Sequence, residues 1–151
     1  MTYKKIISEN GWFSLTLPAN WEEYNDGEEG TYAFFNTTIW TGNLRISPFR
    51  WTEVIDPNED KAGQFIKEEL SSNEGATQIM LGDLNCVQYK KDILQDKDEL
   101  LMYYWVTGKN ESLFICSFTI NKKDEQTKQN ISELKIVEDI IKSIQINLTA
   151  Q

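Results

Sequence analysis

Residues 99–120, ELLMYYWVTGKNESLFICSFTI, constrain the fold more than any other stretch of the chain. They read as two long strands joined at Gly108-Lys109-Asn110, with apolar side chains on both faces of each arm. Leu100, Met102, Tyr104 and Val106 alternate with Leu101, Tyr103 and Trp105, and Phe114, Cys116, Phe118 and Ile120 alternate with Leu113 and Ile115. A strand with one wet face would alternate apolar with polar residues. Strands that are apolar on both faces belong in the middle of a sheet covered on both sides. The hairpin is therefore expected at the centre of a layered domain whose covers come from the rest of the chain.

The flanking segments supply those covers. Phe13, Leu15 and Leu17 alternate in WFSLTL, and Pro18 ends that strand because it cannot donate to a ladder. Trp21 follows as an anchor under the sheet edge. Residues 22–30, EEYNDGEEG, read as an exposed acidic loop, and TYAFFN (31–36) as a strand. In NLRISPFRW (43–51) the apolar phase slips at Pro48, from Leu44 and Ile46 to Phe49 and Trp51, which predicts an edge strand with a bulge. A helix then opens at Asp56 as cap, with Pro57 in its first position and Glu59 as the capping-box carboxylate. Ala62, Phe65, Ile66 and Leu70 form its stripe, and it ends near residue 73. ATQIML and LNCVQYKKDI make a hairpin through Gly82-Asp83, and an acidic turn from Asp92 to Glu99 leads to the central pair. A last helix is expected from Asn121 to about Ser143, burying Ile131, Leu134, Val137, Ile141 and Ile144, with Ile136 and Ile140 broadening the stripe. Short connections between strands favour a mostly antiparallel sheet.

With 151 residues, the chain matches one domain of ordinary size, able to bury a core without staples. Its formal net charge of −9 sets the field around it against phosphate backbones and anionic lipid, so nucleic acid and membrane are not expected as partners. That charge suits a basic protein partner, and it equally serves solubility. Cys86 and Cys116 fall inside strands at a spacing that matches no zinc or redox motif. They read as reduced core thiols unless their strands are neighbours. No run approaches the roughly 20 apolar residues of a membrane helix, and the N-terminal MTYKKIISENGW has no signal-like apolar stretch, so a cytoplasmic location is expected.

Catalytic chemistry has little to work with. The chain has no histidine, which removes Ser–His and Cys–His nucleophile pairs and the commonest general base. Asp56, Asn58 and Asp60 match the first three ligands of a calcium loop, but Lys61 stands where glycine is needed and Lys67 where a bidentate glutamate is needed. Gly27-Glu28-Glu29-Gly30 carries the wrong charge for a phosphate cradle. No cofactor or metal is expected. Two surface features remain: the acidic residues Glu22, Glu23, Asp26, Glu28 and Glu29, and an aromatic pair, Trp40 and Trp51, on either side of the Pro48 strand.

The run Gly11-Trp12-Phe13-Ser14-Leu15-Thr16-Leu17-Pro18-Ala19-Asn20-Trp21 resembles the F-x-(I/L)-x-(L/P)-P-x-x-W opening of the PsbP-like superfamily, and the order of elements agrees along nearly the whole chain. This resemblance implies an uncharacterised bacterial branch of that superfamily, with an α/β/α sandwich, a binding or assembly role and no enzymatic activity. It carries over neither a partner nor a set of contact residues. The expectation is thus a single domain over residues 1–151, of α+β class, with a central antiparallel sheet of about six to seven strands and two main helices. It would act as a protein-binding or adaptor module, with an acidic protein that neutralises a basic partner as the concrete version. A small-molecule carrier with an aromatic pocket of Trp105, Tyr103 and Phe65 is the alternative, and a carboxylate-based hydrolase the third reading.

Overall fold

The structure, a computed structural model, describes residues 2–53, 56 and 58–147. The central hairpin forms as expected: β8 (Asp98–Lys109) and β9 (Ser112–Asn121) pair in register from Leu100↔Asn121 to Lys109↔Ser112. They lie inside a seven-stranded antiparallel sheet of order β3-β4-β5-β9-β8-β7-β6, comprising Trp21–Tyr24, Tyr32–Asn36, Gly42–Arg50, β9, β8, Leu84–Gln95 and Thr77–Leu81. The turn is Asn110-Glu111, with Asn110 at positive φ, rather than the expected Gly108-Lys109-Asn110. Gly108 lies inside β8 opposite Leu113 at positive φ, where an added Cβ would run into the Ser112 carbonyl oxygen.

Both faces of the hairpin are covered, and the two residue sets separate as the alternation requires. Leu101, Tyr103, Trp105, Phe114, Cys116, Phe118 and Ile120 enter one core with Phe13, Leu15 and Leu17 of β2 (Phe13–Pro18) and with Val137, Ile140, Ile141 and Ile144. Val106 and Leu113 enter the other, against Ala62 and Ile66 of α1 (Lys61–Ser72). α2 (Lys128–Lys142) shares the first face with a small sheet absent from the sequence reading, in which β1 (Tyr3–Ile7) and β10 (Gln145–Ile146) flank β2. Among the described residues, no helix is long and apolar enough to cross a membrane.

Several boundaries differ from expectation for identifiable reasons. Residues 22–30 are part strand, since β3 pairs Trp21↔Asn36 through Tyr24↔Ala33. β5 is neither an edge strand nor bulged: it pairs continuously with β9 from Gly42↔Ile120 to Arg50↔Ser112. The apparent phase slip is a change of face. Leu44 and Ile46 point into the α2-side core, while Phe49 and Trp51, at odd positions, lie on the α1 side. Pro48 is tolerated because the β4 pairing with β5 stops at Tyr32↔Ile46. The acidic turn shrinks to Asp96-Lys97, because β7 and β8 pair out to Gln95↔Asp98 and Asp96 adopts positive φ.

Both helices start later than the sequence suggests. Asp60, not Asp56, caps α1: its Oδ1 accepts from the Gly63 N–H at 3.0 Å and the Asn110 N–H at 2.7 Å. Asp56 instead closes a turn by accepting from the Asn58 N–H, and Pro57 lies outside the described residues. The Asp60 carboxylate thus ties the helix start to the central hairpin's turn. Asp60→Ala should cost about 1–2 kcal/mol in urea unfolding, with Asp60→Asn recovering most of it; equal loss in both variants would contradict the capping role. A 3-10 turn (Lys122–Asp124) follows Asn121, and Thr127 caps α2 by accepting from the Asn130 N–H. The α2 stripe is rotated accordingly: Ile131 is 52% exposed, while Asn130 and Glu133 are buried in its place.

Cys86 on β7 and Cys116 on β9 are free, buried and separated by β8. Two strand spacings, roughly 9.5 Å, exceed the ~7 Å reach of a disulfide. Burial pushes the Cys86 thiol up to about 12, which fits an inert core group.

Candidate functional site

α1 packs on β7, β8 and β9, which leaves the β5–β4–β3 half of that sheet face without a helix. The residues facing outward there are Asn43, Arg45 and Ser47 of β5, with Phe35 opposite Asn43 and Tyr24 opposite Ala33. They are half-buried rather than core. At one end of this face, where β5 begins, β9 ends and the β7–β8 turn approaches, lies a cleft of about 380 Å³.

Its wall is built by local hydrogen bonding. The buried Asn36 accepts through Oδ1 from the N–H groups of Thr38 (2.9 Å) and Ile39 (3.2 Å) and from Asn20 Nδ2 (3.1 Å), which fixes the turn after β4. That turn delivers Trp40, 71% exposed yet held: its Nε1–H donates to Asn43 Oδ1 at 3.1 Å and its ring packs on Phe35 at 6.2 Å. Tyr24 meets Phe35 edge-on at 5.7 Å, extending the aromatic row. Gly42 must be glycine, since a Cβ would strike the Thr119 carbonyl oxygen and the Ile120 and Phe118 side chains.

Asn43, Thr119, Asn121 and Gln95 line the cleft with neutral polar groups, and Arg45 adds a guanidinium. Arg45 Nε stands 2.9 Å from Asp26 Oδ2, an ion pair by distance whose N–H is not aligned for a hydrogen bond. The Asp26 side chain is 3% exposed, so the pair fixes Arg45 from below. Behind the wall sits Glu133, 2% exposed, with neither carboxylate oxygen in hydrogen-bonding geometry. Burial raises its pKa, and the Thr41 hydroxyl and N–H draw near enough to oppose part of that rise.

The structure divides the residues singled out from the sequence. Glu22 pairs with Lys4 at 3.4 Å, and Asp26 is spent on Arg45, which leaves Glu23, Glu28 and Glu29 facing solvent. Trp40 and Trp51 do not form one patch: they bracket β5, a strand of nine residues spanning roughly 30 Å. Trp51 packs on the α1-side core and edge-on to Phe49 at 4.9 Å. The proposed aromatic pocket does not exist as a unit. Trp105 and Tyr103 are buried on the α2 side, and Phe65 packs on the opposite face of the sheet. Asn43, Arg45 and Thr119 escaped sequence reading although their odd positions mark them as facing away from the α2-side core. Which strands stand beside them is set by pairing across distant segments.

A larger groove of about 540 Å³ lies between the β6–β7 turn and the end of α2, lined by Asp83, Lys109 and Lys142 beside aliphatic side chains and by no aromatic ring. Among the described residues no group of three or more His, Cys, Asp or Glu side chains could hold a metal ion.

A central antiparallel sheet with a helix on each face, and an aromatic cleft at one sheet end, define an α+β domain. The chain belongs to the family described as Domain of unknown function (DUF3805), whose model matches residues 1–151. No curated protein matches it. A solved structure from Bacteroides thetaiotaomicron is 31% identical with a TM-score of 0.79, covering 99% of this chain and 50% of that one; this chain spans half the length of that relative. LpqN of Mycobacterium tuberculosis, involved in cell envelope biogenesis, is 10% identical with a TM-score of 0.58 over 97% of this chain and 91% of its own. Cyanobacterial PsbP (CyanoP) of Synechocystis is 10% identical with a TM-score of 0.45, covering 96% and 92%. The LpqN likeness is one of fold alone, and the PsbP likeness is distant.

Proposed function

We propose that the chain is a non-catalytic binding module that holds a small molecule in the Trp40 cleft, within a bacterial branch distantly related to the PsbP-like domains. One observation supports this reading above the others. Trp40 is exposed but not loose, with its indole N–H fixed on Asn43 and its ring on Phe35. An aromatic side chain kept ordered in water is a prepared contact, because the entropy of fixing it is spent before a ligand arrives. The cleft volume lies at the low end of the roughly 300–1,000 Å³ range of small-molecule sites. Small molecules of varied chemistry, screened by thermal shift, should include one that raises the melting temperature of the wild type and not of Trp40→Ala. A library without stabilising members, or one whose hits stabilise the variant equally, would defeat this reading.

The second reading, docking of a basic protein, rests on Glu23, Glu28 and Glu29, which face solvent, and on the net charge of −9. An electrostatic complex of this kind would weaken steeply as salt rises. Binding that is indifferent to salt, or that survives charge reversal at these three residues, would remove it.

A further inference from the structure

Building on the cleft reading above, we infer that the ligand is a neutral, polyhydroxylated molecule of the saccharide class, laid against the Trp40 ring. Charge comes first. Arg45 is the cation in the lining, and the buried Asp26 carboxylate beside it already balances its charge. An anion entering the cleft would therefore face a neutralised guanidinium inside a chain of net charge −9. A cation would find no carboxylate among the cleft's lining residues. Neither sign is favoured, so the lining selects an uncharged ligand.

Polarity then narrows the class. Asn43, Asn121 and Gln95 present carboxamides, and Thr119 a hydroxyl, beside the apolar surfaces of the Trp40 ring and of Leu100. Asn43 Oδ1 is taken by the indole, which leaves its NH₂ to donate. A carboxamide donates and accepts from adjacent atoms in one plane, which matches neighbouring hydroxyls that each do both. Desolvating these groups against a wholly apolar ligand would leave them without partners, a cost that such a ligand cannot offset. The C–H face of a sugar ring in its chair form can lie on the indole while its hydroxyls reach the amides at the rim. A peptide added as an extra strand does not fit, because β5, β9 and β8 are interior strands with both edges engaged near the cleft.

The test uses the full chain and acrylamide quenching of its tryptophan emission, read alongside calorimetric titration. Trp21 and Trp105 are 0% exposed, Trp12 and Trp51 are half-buried and Trp40 is 71% exposed, so the quenching that Trp40→Ala removes is the signal assigned to Trp40. The probes are neutral hexoses, N-acetylhexosamines and their oligomers, each set against a uronic acid and an amino sugar of the same ring. The expected result is one neutral series that binds and shields the emission. Trp40→Ala and Asn43→Ala should each weaken it by about tenfold or more, with unchanged circular dichroism. The charged counterparts should bind more weakly. If the saccharides are silent while another uncharged class from the thermal-shift library shields Trp40, the saccharide inference fails and the cleft reading stands. Saccharide binding that is indifferent to both substitutions would overturn the placement in this cleft. Silence from every class overturns both.

Discussion

Replacing Trp105 by alanine should lower the stability of this domain by about 3–5 kcal/mol, the range for deleting a large aromatic side chain from a packed core. Trp105 is 0% exposed on β8, next to the centre of the seven-stranded sheet, with Tyr103 lying beside it at 6.2 Å between ring centroids. For a domain of this size each kcal/mol moves the melting temperature by roughly 2–4 °C, so a fall on the order of 10–15 °C is expected by calorimetry. Trp105→Phe sharpens the test. The indole Nε1–H has no hydrogen-bond partner, so phenylalanine keeps most of the apolar contact and removes a buried orphan donor. Its cost should stay below about 1.5 kcal/mol. A fall of only a degree or two for Trp105→Ala would mean that the α2-side core is not organised around this hairpin.

Glu133→Met should do the opposite at neutral pH and stabilise the protein by about 1–3 kcal/mol. Glu133 occupies a buried position of α2, and Thr41 offsets only part of what burial costs its carboxylate. Because burial raises its folded pKa above the ordinary 4.5, the folded state favours the protonated form. The group's contribution is therefore most favourable below the unfolded pKa. It declines as pH rises through the raised folded value, and the penalty is complete above it. Methionine removes the titration, so the gap between variant and wild type should be smallest below the ordinary 4.5 and widen as pH rises toward neutral. Urea unfolding of both proteins across that range measures it, and a gap that ignores pH would contradict the buried-charge account. The retained carboxyl also has a place in the site: it faces Thr41, the residue between Trp40 and the glycine that starts β5.

What could be read from the sequence followed from how much of the physics was local. The double-sided hairpin declared itself because burial on both faces leaves no polar alternation, and Gly82-Asp83 marked a turn on its own. Helix starts were harder. Asp56 and Asp60 both look like caps, and Asp60 prevails through the Asn110 N–H, a partner fifty residues away. The rotated α2 face has a similar cause. Asn130 turns inward because its Nδ2 donates to the Tyr103 hydroxyl at 3.2 Å and the Glu125 carbonyl at 3.1 Å, partners that hydrophobic periodicity cannot see. β1, YKKII, has no clean apolar alternation and signals little without knowledge of its pairing to β2. The cleft was the least legible of all. Trp40 was visible as a surface candidate, but its neighbours come from residues 95–100 and 119–121, brought together by the registers Asn43↔Thr119 and Leu100↔Asn121. Charge counting pointed to Asp26 as a docking residue, and only the fold shows it turned inward to Arg45.

The most direct measurement is amide NMR of the assigned full chain, titrated with the compounds that raise its melting temperature. If the Trp40 cleft is the recognition site, shifted signals should concentrate in residues 40–45, 95–100 and 119–121, three segments that meet only there. Shifts confined to the acidic segment 22–30, or spread over the groove between the β6–β7 turn and α2, would contradict it.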